Sequence, residues 1–480
     1  MKKTSILGIA SALLLVSCSE DFLNKDAMNE VSTNQIADLN ANYPELGLAF
    51  SGNLEAGNYF YMNDFLVSGL NQNLHDDFGQ KAVDFGLDLM SNDVTQSTNH
   101  WMGNYYNFTA RQTNSVRTYM IWRFYYKQIY NMNSILSTID EGATDPGILQ
   151  LKARCLAVRG FAYFQLIRVY GNGDLGIPLY TETTTDLSRV PTSDIYAQIE
   201  SDLTAAHTLI DGYTRTSKAY LDNKVIAGLL SRYYLEMENY PLAAQYANEA
   251  KTGGTLVSGN QLLDGFDEIT NPEWIWGADI TSATTTVYAS FFSQVGSLNE
   301  GYAGLLGSFK NIDRRLYDAI SPTDVRKQWF APAGNPWGIP QYANVKFVDA
   351  TFFEGDYVYM RTAEMYLNEA EARSYFDEAG ARQVLYDLVI TRDPSYTLST
   401  NSGQALKDEI RLHRRIELWG EGFAFFDMKR WGVDLVRDYP GSNHTDFGYF
   451  DYPAGSPKFI FQIPESELNA NFEITEQNPL

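Results

Sequence analysis

The apolar positions along the chain recur mostly with helical spacing. In "YMIWRFYYKQIYNMNSILSTID" the residues Trp122, Tyr126, Ile129, Met132 and Leu136 return at intervals of three and four, which places them on one helical face. The next periodic stretch, "LKARCLAVRGFAYFQLIRVYGNG", sets Leu151, Cys155, Val158, Ala162, Gln165 and Leu166 on one face and stops at Gly171. Together they predict an antiparallel helix pair. A second pair is predicted in "NKVIAGLLSRYYLEMENYPLAAQYANEA", where small Ala227, Gly228, Ala243, Ala244 and Ala247 interleave with Leu230, Tyr234, Tyr240 and Tyr246. Small residues let helices approach closely while large ones fill the gap, the packing logic of tetratricopeptide hairpins. A third pair is predicted in "YMRTAEMYLNEAEARSYFDEAGARQVLYDLVITRD", with Ala363, Leu367, Ala370 and Ala372 before a turn at Gly380. A fourth is predicted in "ALKDEIRLHRRIELWGEGFAFFDMKRWG". Stacked pairs form a solenoid-like scaffold, so the expected fold is all-α dominated, with about four tetratricopeptide-like helix pairs and a loop-rich, irregular ligand-binding face.

Two regions depart from this period and divide the chain. Residues 252–358 are rich in Gly, Pro, Trp and Tyr and read as a loop-rich insertion, the kind of segment that carries function on a rigid scaffold. At the start, Lys2 and Lys3 precede an apolar run from Ile6 to Val16, the length of a secretory leader rather than a membrane span. Leu15, Val16, Ser17 and Cys18 then read as a bacterial lipobox, with Cys18 acylated after removal of residues 1–17. Several acyl chains on one residue anchor a protein stably, at about 0.8 kcal/mol per buried methylene. Residues 18–45 are polar with scattered apolar positions and suit a lipidated tether. The remaining boundaries are 46–251 for the first two helix pairs, 252–358 for the insertion and 359–480 for the last two pairs.

Composition narrows the partners. The net charge of -23 repels nucleic acid phosphates. Aromatic residues make up 14% of the chain, and Tyr and Trp serve both core packing and the stacking of flat ligands. The two cysteines, Cys18 and Cys155, make no disulfide framework.

Catalytic chemistry finds little support. Glu417 and Glu421 are four apart, a spacing that would share one helical face, and paired acids are what glycoside hydrolysis needs. Yet Arg414 lies three before Glu417 and Asp427 three before Arg430. Ion pairing of that kind keeps carboxylates ionised, whereas a catalytic acid needs a raised pKa. "GNGDLG" at Gly171 to Gly176 matches a dinucleotide fingerprint by letters but follows a helix, where it reads as a stop and turn. His75, His100, His207, His413 and His444 show no zinc spacing, and no metal or cofactor is expected; the abundant acids leave calcium open without a loop to hold it.

Ligand binding is better supported. "DLMSNDVTQSTNHWMGNYYNF" brings Asp88, Asn92, Asp93, Trp101, Tyr105 and Tyr106 together in a stretch without period. Sugars present a C–H face for stacking and a rim of hydroxyls for hydrogen bonds, which suits such mixtures. Trp101 is the lead stacking residue, with Tyr105, Asp93 and Asp88 beside it. A second cluster holds Trp274, Trp276, Tyr288 and Phe291, though the alternation in "EWIW" equally fits a core-facing strand. A third candidate, Trp337 in "APAGNPWGIPQY", sits among prolines and glycines that would hold it on a surface loop.

Five separated motifs in order carry a family resemblance: "SCSEDFL"; "W...YK.IY.MNSIL" at Trp122 to Leu136; "ARCLAVRGFAYFQLIRVYGNGDLGIPL" at Ala153 to Leu179; "YVYMRTAEMYLNEAEA" at Tyr357 to Ala372; and "RRIELWGEGFAFFDMKRWG" at Arg414 to Gly432. The chain resembles the SusD/RagB family of outer-membrane nutrient-binding lipoproteins of Bacteroidetes. The resemblance implies a four-fold tetratricopeptide scaffold and a non-enzymatic protein on the outer membrane. Such a protein captures oligosaccharides and delivers them to a SusC-like TonB-dependent transporter. It also implies that an acidic patch after the lipidated cysteine, here Glu20 and Asp21, directs surface display. The competing expectations are oligopeptide capture as in the RagB branch, an all-α glycoside hydrolase, and a tetratricopeptide assembly scaffold.

Overall fold

The computed structural model describes residues 33–64 and 74–480. The leader, Cys18, Glu20 and Asp21 lie outside the described residues. The first described elements are α1 (Thr33–Asn42) and α2 (Pro44–Tyr61), packed on each other. α1 occupies part of the expected tether, which is a correction. Its Ile36 is buried, and Asn40, four residues on, donates to Thr138 O at 3.1 Å and Thr138 Oγ1 at 3.0 Å. One apolar and one amide residue at helical spacing therefore dock the segment onto the body, too thin a signal to stand out from a polar stretch.

After α3 (Gln80–Asp88), β1 (Val94–Gln96) and the short α4 (Gly103–Tyr106), the helical ladder begins with α5 (Val116–Leu136) and α6 (Pro146–Tyr170). Capping defines α6 at both ends. Asp145 accepts from Ile148 N at 3.0 Å with Pro146 in the first turn, and at the far end a Cβ on Gly171 would lie 2.5 Å from Ile167 O. The expected stop at "GNGDLG" falls on Gly171, where only glycine fits against Ile167 O. A hairpin of β2 (Leu175–Pro178) and β3 (Arg189–Pro191) leads to α7 (Thr192–Leu209), α8 (Asn223–Glu236) and α9 (Tyr240–Lys251). Ala227, Ala243, Ala244 and Ala247 are all buried where these helices meet.

The insertion contributes only short elements: β4 (Trp274–Ala278), α10 (Phe291–Val295), β5 (Lys310–Ile312) and α11 (Arg314–Asp318). It is stitched into the body by antiparallel pairing of β5 with β1 and of β4 with β6 (Tyr357–Arg361). The ladder resumes with α12 (Thr362–Arg373), which packs on α9, followed by α13 (Glu378–Val389), α14 (Gly403–Glu417) and α15 (Ala424–Arg430). Consecutive packing of α5 through α9 and onward to α12 and α13 makes the helix-dominated, tetratricopeptide-like scaffold. The fourth expected pair is rearranged. α14 packs chiefly on α12 and α13, closing a small core with Leu367, Leu385, Leu406 and Ile410, while α15 packs on α3.

Candidate ligand-binding platform

Several of the aromatic and acidic candidates turn inward, and burial corrects their expected role. Trp274 and Trp276 on β4 are each 2% exposed, and Trp276 Nε1 donates to Ala219 O at 3.3 Å. Phe291 is edge-on to Phe85 and Phe347 in the core. Tyr105 packs so tightly beneath α3 that a Cβ on Gly86 would lie 2.8 Å from its ring. Asp88 accepts from Gly422 N at 2.8 Å and Ala424 N at 2.9 Å, which makes it the anchor of the turn before α15. Asp93 takes a bidentate guanidinium from Arg415, at 2.6 and 3.1 Å. All six serve the core or its internal bonds. Apolar alternation cannot tell a strand covered on both faces from one that presents rings to solvent.

Trp101 and Tyr288 remain at the surface, and Tyr302 joins them. Trp101 is half-buried, its ring centroid 6.2 Å from that of Tyr302, which in turn lies 6.5 Å from Tyr288. His75 stacks on Trp101 at 5.5 Å, and exposed His100 lies 5.2 Å from Tyr302. Phe352 flanks Tyr288 at 6.1 Å. Tyr288 and Phe352 are 45% and 55% exposed, so the cluster presents a broad ring surface to water. Trp337 is also exposed, at 47%, but among the described residues no ring contact links it to this cluster.

Local geometry explains the assembly. The turn that carries Trp101 follows β1 and is tied to the insertion by Ser97 N donating to Phe309 O at 3.0 Å and Ser97 Oγ to Gly307 O at 2.8 Å. Gln96 Nε2 clamps the same turn through Thr98 O at 2.8 Å. Tyr302 follows Gly301, where a Cβ would come within 2.4 Å of Ser293 Cα, so only glycine lets this loop close on α10. Its hydroxyl meets His75 Nδ1 at 2.6 Å. The sequence offered no periodic signal for Tyr302 or His75; the glycines around Tyr302 are the only local mark.

Charge is arranged behind the platform rather than on it. Burial lowers the imidazole pKa of His75 and, with Lys310 nearby, that of His100, which favours the neutral form of both rings. Lys310 is fully buried; burial brings it down to about 7, and it donates to Gln294 O at 3.0 Å and Ser308 O at 2.8 Å. Gln294 passes the link on, its Nε2 donating to His75 O at 2.7 Å.

Glu417 and Glu421 sit in a separate buried hub. Burial alone would raise the Glu417 pKa, but Arg392, Arg361 and Arg326 hold it well below the usual carboxylate range. Burial is likewise outweighed at Glu421, where Arg361 and Lys346 bring the carboxyl down to about 2. Arg361 Nη1 contacts Glu417 Oε1 at 2.5 Å and Glu273 Oε1 at 2.7 Å, and Lys346 Nζ contacts Glu421 Oε1 at 2.6 Å. Arg414 pairs with Asp427 instead of Glu417, and Glu421 lies beyond the end of α14, not on its face. Ion pairing favours the ionised form of both carboxylates, the opposite of the raised pKa that a general acid needs. Among the described residues, no group of three or more His, Cys, Asp or Glu could hold a metal ion, and no helix is long and apolar enough to cross a membrane.

Two family models match this chain. One, described as starch-binding associating with outer membrane, covers residues 64–235, and the SusD family model covers residues 337–480. The chain belongs to the SusD/RagB family. Among solved SusD structures, a SusD-like carbohydrate binding protein from Bacteroides vulgatus superposes with a TM-score of 0.78 at 26% identity, covering 89% of this chain and 97% of that one. A laminarin binding SusD-like protein gives 0.69 at 22% identity, covering 90% and 98% respectively, a likeness of fold. SusD-like protein P25 of Formosa agariphila is 22% identical over 252 residues; the match spans 49% of this chain and 45% of that protein's length.

Proposed function

We propose that this SusD/RagB protein captures oligosaccharides on the Trp101, Tyr302 and Tyr288 platform and passes them to a SusC-like TonB-dependent transporter. In this reading acylated Cys18 holds it on the outer membrane, displayed at the cell surface. The observation that carries the reading is the set of exposed, mutually braced rings. A pyranose stacks its C–H face on such rings while neighbouring polar groups take its hydroxyls. The carbohydrate-binding SusD-like relative and the laminarin-binding one agree with a saccharide ligand. The ion-paired state of Glu417 and Glu421 supports binding without turnover.

Isothermal titration against a panel that includes malto- and laminari-oligosaccharides, with neutral and basic peptides alongside, tests the ligand class. Saccharide binding that Trp101→Ala weakens supports the reading. Binding of peptides alone would overturn it in favour of oligopeptide capture, which a net charge of -23 suits for basic sequences. Mass spectrometry tests the anchor: an unmodified Cys18, or a Cys18→Ala protein that still fractionates with membranes, contradicts it.

A further inference from the structure

Beside the platform runs a trough between α2 and residues 279–287. Two cavities of about 440 and 860 Å³ share Phe60, Asn63, Asp279, Ala283 and Thr284, so they lie side by side along this trough. Each volume falls in the range of ligand sites, about 300–1,000 Å³. The trough ends at Val287, next in sequence to Tyr288 of the platform.

Three features point to an occupant. Phe60, at the lip, is 61% exposed, although α2 buries polar Glu55 and Asn58 on its inner side, with Glu55 paired to Arg154 at 2.7 Å. The helix thus turns an aromatic ring outward and carboxylate and amide groups inward. Gly57, one turn before, also lines the trough from the interior of α2, where glycine weakens a helix. Among the described residues a Cβ there would meet nothing within 4 Å, so packing against them gives no reason for glycine. Its effect is to leave the trough wide. Finally, the facing wall is fixed: Ile280 N donates to Asp356 Oδ1 at 2.7 Å and Thr285 Oγ1 to Phe353 O.

We propose that this trough is a second saccharide-binding stretch into which a chain held on the platform continues, so that the ligand is an extended, neutral oligosaccharide. The proposal rests on the saccharide reading of the platform. Tyr220 and Phe60 supply stacking surface, exposed Asp279 supplies a carboxylate to accept from sugar hydroxyls, and among the described residues no Lys, Arg or His lines the trough to recruit a sulfated or carboxylated chain.

The test is titration of wild type, Phe60→Ala, Gly57→Gln and Trp101→Ala with short and long members of the malto- and laminari-oligosaccharide series. Phe60 is exposed and the space above Gly57 is open, so both trough variants keep the fold. The expected result is tighter wild-type binding to long members, a loss of about tenfold for those members in Phe60→Ala and Gly57→Gln, and no change for short ones. Trp101→Ala weakens both lengths. Long-chain affinity that both trough variants leave intact, while Trp101→Ala lowers it, overturns the trough and spares the platform. Length-dependent losses in the trough variants with Trp101→Ala silent sustain the trough and overturn the platform. Wild type that binds neither series overturns both.

Discussion

The imidazole of His75 lies behind the indole of Trp101, with ring centroids 5.5 Å apart and planes 11° from parallel. Tyr302 meets the same indole edge-on, at 71°, and bonds to His75 through its hydroxyl. Trp101 is therefore braced on one face and one edge before any ligand arrives, which cuts the ordering cost of binding. Tyr302 extends that braced surface toward Tyr288.

This geometry separates two exposed aromatics that look alike in sequence. Tyr288→Ala is expected to weaken saccharide binding about fivefold, the scale of one aromatic contact. Trp337→Ala is expected to leave it unchanged. Calorimetric titration of both variants checks the assignment, and an effect of Trp337 equal to that of Tyr288 would refute it.

Glu417→Gln tests the ionic hub. It leaves the guanidinium groups of Arg326, Arg361 and Arg392 short of their shared counter-charge in a buried site. Breaking such a site costs about 3–5 kcal/mol. Urea denaturation should show that loss, while the folded fraction still binds saccharide with wild-type affinity. Unchanged stability would count against the structural role, and so would hydrolysis of an oligosaccharide by wild type that Glu417→Gln abolishes.

The inward tryptophans behave differently from Trp101. Trp276→Ala removes a ring packed edge-on to Phe161 and Tyr359, and removal of a large buried aromatic costs about 3–5 kcal/mol. A large fall in melting temperature is expected for Trp276→Ala and a small one for Trp101→Ala. Equal falls would contradict the assignment of one to the core and the other to the surface.

The helical ladder was legible because α5, α6, α8, α9, α12 and α13 bury apolar stripes at spacings of three and four. α7 carries the same signal in buried Ile195, Ile199, Leu203 and Ala206, yet it stands outside the four expected pairs. α2 was hidden for a physical reason: its buried face includes Ser51, Glu55 and Asn58, which reverses the usual apolar pattern. The site was legible only in part. Trp101 and Tyr288 lie in stretches without period, where exposure is common, but Tyr302 and His75 are brought to them from distant segments by loop closure. No local pattern marks that meeting.

Buried Lys310 gives stability a pH dependence. Its folded pKa is about 7, against about 10.4 when unfolded. Between those values the unfolded chain binds more protons, so rising pH stabilises the folded state, by up to about 1.4 kcal/mol per unit. The benefit is lost as pH falls toward 7. Lys310→Met should lack this slope, so its stability relative to wild type should decline from pH 7 to about 9 in urea titrations. Parallel pH curves for the two proteins would show that Lys310 does not titrate in this window.

Calorimetric titration of wild type and Trp101→Ala with the same oligosaccharide, each shown to be fully folded at the titration temperature, tests the central claim most directly. The platform predicts saturable binding by wild type and a loss of about tenfold or more in the variant. Equal affinities in the two folded proteins would contradict it.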